Sequence, residues 1–370
     1  GEREIEEVQL TQTVANNTGS EIIRVGGTTY SSLGKDTKII IDATSRDRYT
    51  KFNLRQRTII NFLPYGTATE IDDISTKTEE EKNLANELFE KYRPSSITST
   101  KSQILALSGA IEVNGTGINI VGLQLARKGD NIDTGTIILN DGTIKVNGKL
   151  NSVFALPQAS SGLSGTKEKM EIISNTGTIE IDGEENTVIL ISRAATNIPI
   201  VSNFHNNGVI KISGRENVGY QAGAEMKNGY IDLEKPITIV DGQRNVGVII
   251  NMPPEMNVNE NSKIKVEIED GINNTGLYFS THNTLGGNKQ KIAEAKINIK
   301  GGENNLGIWL AARAANKEYN LKLNYDKLGP YLAGLIEGDG TILVQNSSSI
   351  KKSKYRPLIV VVFKLEDLNT

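Results

Sequence analysis

The chain has no cysteine among its 370 residues, so neither a disulfide framework nor a cysteine-ligated metal site is open to it. Aromatic residues are scarce at 5%, with a single Trp. That scarcity argues against propeller repeats, which run to about 40–50 residues and carry an aromatic signature. The two histidines, His205 and His282, sit in no recognisable motif and make no convincing zinc site. A basic excess is missing too. Lys and Arg number 41 against 44 Asp and Glu, giving a net charge of −3 with the signs interspersed, and no nucleic-acid partner is expected. The longest apolar run, Leu358-Ile-Val-Val-Val-Phe363, falls far short of the roughly 20 residues that span a bilayer, so no membrane span is expected. Gly1-Glu-Arg-Glu is no signal peptide, and the numbering is expected to start inside a longer precursor.

What the chain does have is a recurring phrase. An apolar-x-apolar pair leads to a Gly, and an Asn follows three residues later. It reads Ile144-Lys-Val-Asn-Gly148-Lys-Leu-Asn151, then Ile179-Glu-Ile-Asp-Gly183-Glu-Glu-Asn186 and Ile210-Lys-Ile-Ser-Gly214-Arg-Glu-Asn217. It returns around Gly242 with Asn245, Gly271 with Asn274 and Gly302 with Asn305. The anchor glycines are 35, 31, 28, 29 and 31 residues apart. Self-similarity at this period marks a stacked array in which each unit buries its apolar face on the next.

Each unit opens with period-2 alternation, the mark of a strand buried on one side, as in Thr178-Ile-Glu-Ile-Asp182. A more continuous apolar segment follows the Gly-x-x-Asn corner, for example Val188-Ile-Leu-Ile191. The rest of each period varies, as loops or a third strand would. Leucine-rich frames are absent, and the pattern fits an all-β, right-handed parallel β-helix with an inserted helix near the end of its first third. Asn151, Asn186, Asn217, Asn245, Asn274 and Asn305 are expected to stack about 4.8 Å apart, each amide bonding its neighbours above and below. Asn also tolerates the left-handed backbone of a tight corner. Gly219, Gly247, Gly276 and Gly307 are expected to free the backbone there, although Val153 and Val188 take that place in earlier units.

The expected organisation has three parts. Residues 1–104 hold degenerate rungs, including Lys38-Ile-Ile-Ile-Asp42 and Arg57-Thr-Ile-Ile-Asn61, with a helix inserted at about 76–93. Thr78 and Glu81 have capping-box spacing, Leu84 and Leu88 share a face, and Pro94 ends the helix. Residues 105–350 hold the regular repeats, with a partial rung at Gly109–Gly115 and a closing one at Gly338–Val344. Residues 351–370 continue a strand or form the edge.

Little on the rungs reads as chemistry. The outward residues Lys145, Glu180, Lys211, Thr238, Glu267 and Asn298 alternate in kind, as a solvated face with attractive rung-to-rung contacts would. Asp72-Asp73 is an isolated acidic pair, and Ser164 lacks the G-x-S-x-G frame of a serine nucleophile. His205 reads as a loop residue at a rung entrance. Arg127, Arg193 and Arg313 end apolar strands, where they suit capping of corner carbonyls or recognition of acidic partners. No catalytic residue, cofactor or metal site is expected, and the chain reads as a non-enzyme.

Asn175-Thr-Gly-Thr-Ile-Glu-Ile-Asp-Gly183 and Asn206-Asn-Gly-Val-Ile-Lys-Ile-Ser-Gly214 resemble repeats in the passenger domains of giant fusobacterial autotransporter adhesins, the RadD-like type V secreted proteins. The resemblance covers roughly residues 105 to 350. It implies an exported, fibre-like segment at the outer-membrane cell surface, with a C-terminal β-barrel translocator in the full-length protein. It further implies attachment to a host-cell receptor, protein or glycan, or to a partner bacterial surface. The expected display residues are Leu84, Phe89, Tyr92 and Arg93 in the helical excursion, and Tyr319, Tyr325 and Tyr331 in a second excursion. Two other readings stand beside the adhesin: a ring-forming, vacuolating-type toxin passenger, and a polysaccharide lyase or hydrolase.

Overall fold

The computed structural model describes residues 2–5, 9–12, 21–26, 30–42, 58–63, 69–71, 79–123, 135–157, 169–192, 200–222, 227–252, 257–282, 294–313, 342–344 and 359–361. Its architecture is a parallel β-solenoid with, among the described residues, one helix, Glu79–Tyr92. A full coil contributes three strands, one to each of three faces. Lys101–Leu107, Ala110–Thr116 and Asn119–Leu123 make one such coil, and Gly135–Asn140, Thr143–Lys149 and Ser152–Pro157 make the next. Strands pair in parallel from one coil to the next, so the third face is a nine-stranded sheet whose strands follow in strict chain order. The variable part of each period thus supplies the first-face strand.

The alternation seen in the sequence becomes two aliphatic columns inside the second face. Ile39, Ile111, Ile144, Ile179, Ile210, Ile237, Val266 and Ile297 lie in register from coil to coil. Ile41, Val113, Val146, Ile181, Ile212, Ile239, Ile268 and Ile299 form the other. All of these up to Ile268 are buried. Each fully buried aliphatic side chain contributes about 1.5–3 kcal/mol. A one-residue slip would turn a whole column outward, so burial itself fixes the register. Lys38–Asp42 belongs to this face and Thr58–Leu63 to the third, and both are true rungs.

The asparagine row is a ladder, but its rungs differ from stacked amides. The backbone N–H of Asn151 donates to Oδ1 of Asn186 at 2.9 Å, and that of Asn186 donates to Asn217 at 2.8 Å. Asn217 to Asn245, Asn245 to Asn274 and Asn274 to Asn305 repeat the bond at 2.9–3.0 Å. Each amide nitrogen turns back instead: Asn217 Nδ2 reaches the carbonyls of Gly183 at 3.0 Å and Ser213 at 2.5 Å. The side chains bond mainly to backbone, and only Asn245 Nδ2 meets another ladder oxygen, Asn274 Oδ1, at 3.1 Å. In the coil that has Asn119 one place late, Ile118 stands at the ladder position and donates its N–H to Asn151 at 2.9 Å.

The left-handed corner conformation also falls elsewhere than on the ladder. It lies one residue earlier, at Leu150, Glu185, Glu216, Arg244, Asn273 and Asn304, with φ of 52–57°. Positive φ at non-glycine residues is uphill, and the ladder bonds on the following residue hold it in place. Gly219, Gly247 and Gly276 have a different purpose from the one expected. Their φ is ordinary, but a Cβ on Gly247 would lie 2.7 Å from the Val266 methyls and from the Gly276 carbonyl oxygen. The need is for space beside the next coil's aliphatic column.

A second ladder, not anticipated from the sequence, runs along another corner. Asn140 Nδ2 donates to Asn175 Oδ1 at 2.8 Å, and Asn175 Nδ2 donates to Asn206 Oδ1 at 2.9 Å. Here the amides do stack side chain to side chain. All three are buried.

The helix packs flat on the outside of the first face. Its three acidic residues in the first turn and Lys91 in the last suit its dipole. Ala85, Leu88, Phe89 and Tyr92 form a second apolar cluster with Tyr30, Ile104, Ala106, Ile137, Leu139, Met170 and Ile172. Outward-facing apolar residues on that face explain why a cover is needed there. At the far end, Ile342–Val344 pairs antiparallel with Ile359–Val361, so it does not close the array as a parallel rung.

Asn217→Ala removes the acceptor for the buried N–H of Asn186 and a donor to two part-buried carbonyls, of which that of Gly183 keeps the N–H of Arg215, so one buried group is left unsatisfied at about 1–3 kcal/mol. We expect a loss of about 1–3 kcal/mol in urea unfolding, against under about 0.5 kcal/mol for the outward Lys211→Ala. Equal midpoints for the two variants would contradict the ladder. Gly247→Ala is expected to cost about 1–3 kcal/mol in the same assay through overpacking.

Candidate functional site

The second face turns its outer side to solvent, and part of it is concave. An open groove of about 670 Å³ crosses several coils and is lined by Ile40, Glu112, Asn114, Lys145, Asn147, Glu180, Asp182, Lys211 and Ser213, among others. Two outward columns form its floor. Glu112, Lys145, Glu180 and Lys211 are in register, and Thr238, Glu267 and Asn298 continue that column beyond the groove. Asn114 and Asn147 begin the other, which Asp182 and Ser213 continue. Asn147 and Asp182 each use Oδ1 to accept the N–H of the next glycine at 2.7 Å, which leaves the rest of each head group facing the groove.

Opposite charges in adjacent coils were expected to attract one another here. Among the described residues, Lys145, Glu180 and Lys211 form no ion pair. The neighbouring corner ridge behaves differently. Lys149, Glu184 and Arg215 are aligned from coil to coil, and Glu184 pairs with Lys149 at 3.7 Å and also with Arg215. The Glu184, Glu185 and Glu216 carboxylates lie within 4.8 Å of one another. Lys149 and Arg215 offset Glu184, while Arg244 reaches Glu216 at 3.4 Å. The second face pairs in part as well: Glu112 meets Lys38 at 3.8 Å and Glu267 meets Lys300 at 4.0 Å, each across adjacent coils, while among the described residues Lys145, Glu180 and Lys211 between them stay unpaired.

A second polar assembly lies between the end of the helix and the first face, with Tyr92, Ser174, His205 and Asp232 buried and Lys91 and Glu234 at its exposed rim. Ser174, His205 and Asp232 are consecutive outward positions on three coils. Ser174 Oγ lies 2.8 Å from His205 Nδ1, and His205 Nε2 lies 3.4 Å from Glu234 Oε1. Asp232 Oδ2 accepts from Tyr92 Oη at 2.6 Å and pairs with Lys91 Nζ at 2.6 Å. Burial lowers the His205 pKa, and the pull of Glu234 and Asp232 does not restore it. Burial alone would raise Asp232, but Lys91 and Tyr92 outweigh it and hold the carboxyl below its usual range. With its proton assigned to Nε2, toward the Glu234 carboxylate, a neutral His205 accepts from the Ser174 hydroxyl at Nδ1.

This serine, histidine and acid constellation invites comparison with an activated nucleophile. Its environment argues otherwise. Ser174 is 1% exposed and His205 4%, so no substrate carbonyl reaches the Ser174 hydroxyl. The assembly fastens the helix to the coils. His205 belongs to the strand Ile200–Asn206, which corrects its expected place in a loop.

The expected display residues fare unequally. Phe89 and Tyr92 are buried under the helix at 1% and 2% exposure, so neither is presented to a partner. Phe89 lies over Gly135, where a Cβ would come within 2.7 Å of its ring. Leu84 packs partly against the same cluster. Arg93 is committed to Glu90 at 2.7 Å and lies 5.7 Å from the Phe89 ring centre. Tyr319, Tyr325 and Tyr331 lie outside the described residues, as do Asp72, Asp73, Arg127, Ser164 and Arg193.

No protein family and no solved structure matches this chain. A stretch of 53 residues is 96% identical to the intron-encoded DNA endonuclease aI3 of Saccharomyces cerevisiae, covering 14% of this chain and 13% of that protein. No helix among the described residues is long and apolar enough to cross a membrane.

The cluster predicts a pH dependence. A folded histidine with a lowered pKa binds its proton after the unfolded chain does, so its stabilisation is full above about pH 6.5 and declines as pH falls through that value. Asp232 adds a loss at lower pH, as its own depressed pKa is approached. We expect stability to fall between pH 7 and 5 by no more than about 1.4 kcal/mol per pH unit for this one proton. In His205→Gln that slope flattens. Unfolding midpoints measured across the range check it, and an unchanged slope refutes the assignment. Phe89→Ala is expected to cost about 3–5 kcal/mol by calorimetry if the helix covers the first face as described.

Proposed function

We propose that this chain is a surface-displayed adhesive segment, the passenger of an autotransporter-type adhesin, which attaches its cell to a host cell or to another bacterium. The observation that carries this reading is the open groove on the second face. The inward positions of the coils are taken up by core and ladders, and the cluster beneath the helix is buried at Ser174, His205 and Asp232 and committed to internal pairs at Lys91 and Glu234. What is left facing outward is a rigid, repeating polar surface with unpaired groups. Such a surface suits recognition without covalent chemistry. The helical excursion, with its aromatic residues turned inward, is a cover for the scaffold and not the contact surface.

The test is attachment of the purified chain to target cells, competed by free sugars and by free arginine. The triple variant Lys145→Ala/Glu180→Ala/Lys211→Ala is expected to lose at least about tenfold in attachment, the equivalent of about 1.4 kcal/mol, while folding normally. Arg215→Ala on the adjacent ridge is expected to bind as the parent does. Full attachment by the triple variant would remove the second face from the reading. Ring assembly with leakage of liposomes would favour the toxin alternative, and cleavage of glycans would favour the lyase.

A second reading rests on the endonuclease identity. Parallel coils run from Glu2 to Arg313. We propose that the 53-residue identity lies within the 57 residues from 314 to 370, which follow the last strand of the parallel stack, Leu306–Arg313. On that reading the chain joins a solenoid to a piece shared with a DNA-cleaving protein, and duplex DNA becomes a further partner class. Because the piece spans 13% of that endonuclease, no DNA cleavage is expected. Cleavage by the whole chain, lost when it ends at Arg313, would place this reading above the first.

A further inference from the structure

The groove on the second face has a composition that narrows its ligand. This step rests on the adhesive reading above and names the chemistry of what is bound. Glu112, Glu180 and Asp182 face Lys145 and Lys211, so the lining is close to neutral. A polyanion would meet three carboxylates, and a polycation would meet two ammonium groups. Neither is drawn in by a field of one sign. No aromatic ring is among the described residues that line the groove, and the mode of capture argued from them is hydrogen bonding.

What the lining does offer is a mixture of strong donors and acceptors at a fixed repeat. Carboxylate, ammonium, amide and hydroxyl groups recur on successive coils, which are spaced about 4.8 Å apart. A hydroxyl group both donates and accepts. A chain bearing several hydroxyls per unit can therefore satisfy acidic and basic positions alike, without change of register. Ion pairing would otherwise consume these groups. It does so on the ridge beside the groove, at Lys149, Glu184 and Arg215, and at the groove's edge, where Glu112 pairs with Lys38 at 3.8 Å, but among the described residues it does not at Lys145, Glu180 and Lys211. The groove runs across coils, so an extended ligand lies along the solenoid axis and meets one set of groups per coil. A volume of about 670 Å³ is within the ordinary range of ligand sites and holds a few sugar units.

We propose that the groove binds an uncharged, extended polysaccharide through its hydroxyl groups, with Lys145, Glu180, Asp182 and Lys211 as its principal hydrogen-bonding partners. The interaction is bonded to charged groups on the protein side. It should therefore weaken with salt far less than binding to a polyelectrolyte does.

Affinity electrophoresis of the full chain through gels carrying glucomannan, heparin or chitosan tests this. Retardation by glucomannan alone, changed less than about twofold between 50 and 300 mM salt, is the expected result. Lys145→Ala/Glu180→Ala/Lys211→Ala and Asp182→Asn should each reduce it about tenfold or more, with Arg215→Ala unchanged. Retardation only by heparin or only by chitosan would overturn the ligand class, as would retardation by none of the three. If the triple variant loses cell attachment while no polysaccharide binds, the polysaccharide is wrong and the adhesive face stands. If cell attachment survives the triple variant, both fall.

Discussion

The structure depends on one arrangement: a side-chain amide bonded to the backbone of the coil before it. A solenoid corner exposes N–H and C=O groups that no strand ladder can satisfy, and left buried they would cost about 1–3 kcal/mol each. Asn186 answers both needs at once. Its Oδ1 takes the N–H of Asn151, and its Nδ2 gives to the carbonyls of Asp182 and Gly148. With the corner fixed coil after coil, the aliphatic columns of the second face fall into register. The Ser174, His205 and Asp232 positions on the first face align by the same means.

From that constraint follows a division of labour among side chains. Inward positions are spent on Ile and Val columns, corners on Asn and Gly, and the first face on an apolar outer surface that needs the helix as a lid. The second face is the described surface on which a repeated set of polar groups stays open to solvent in a groove. A one-dimensional array suits extended ligands, since each coil adds a polar contact at the same interval.

Much of this was legible in the sequence because the phrase is local and repeats. The Gly-x-x-Asn spacing announced the corner, and the alternation around Ile179 and Ile181 announced which side is buried. The bonding within the ladder was not legible, because an Asn in register can meet either the next amide or the next backbone, and corner geometry decides. Asn140, Asn175 and Asn206 each stand two residues before a glycine, at intervals of 35 and 31. That signal was available and was masked by the stronger phrase beside it. Phe89 and Tyr92 were misplaced for a different reason. An amphipathic excursion shows which of its residues share a side, but not whether that side meets a partner or its own scaffold. The outer surface of the first face, with Ile104, Ile137 and Ile172, decides the matter. The polar cluster under the helix end draws on residues 91, 92, 174, 205, 232 and 234, and no local motif joins them.

Native-state hydrogen exchange of the ladder amides tests the central claim most directly. If the amide-to-backbone ladder holds the coils together, the N–H groups of Asn151, Asn186, Asn217, Asn245 and Asn274 exchange only through cooperative unfolding of the array. Their opening free energies should then match those of the buried strand amides of Ile179 and Ile210. Exchange of these corner amides by local opening, while the strands stay protected, would contradict the account.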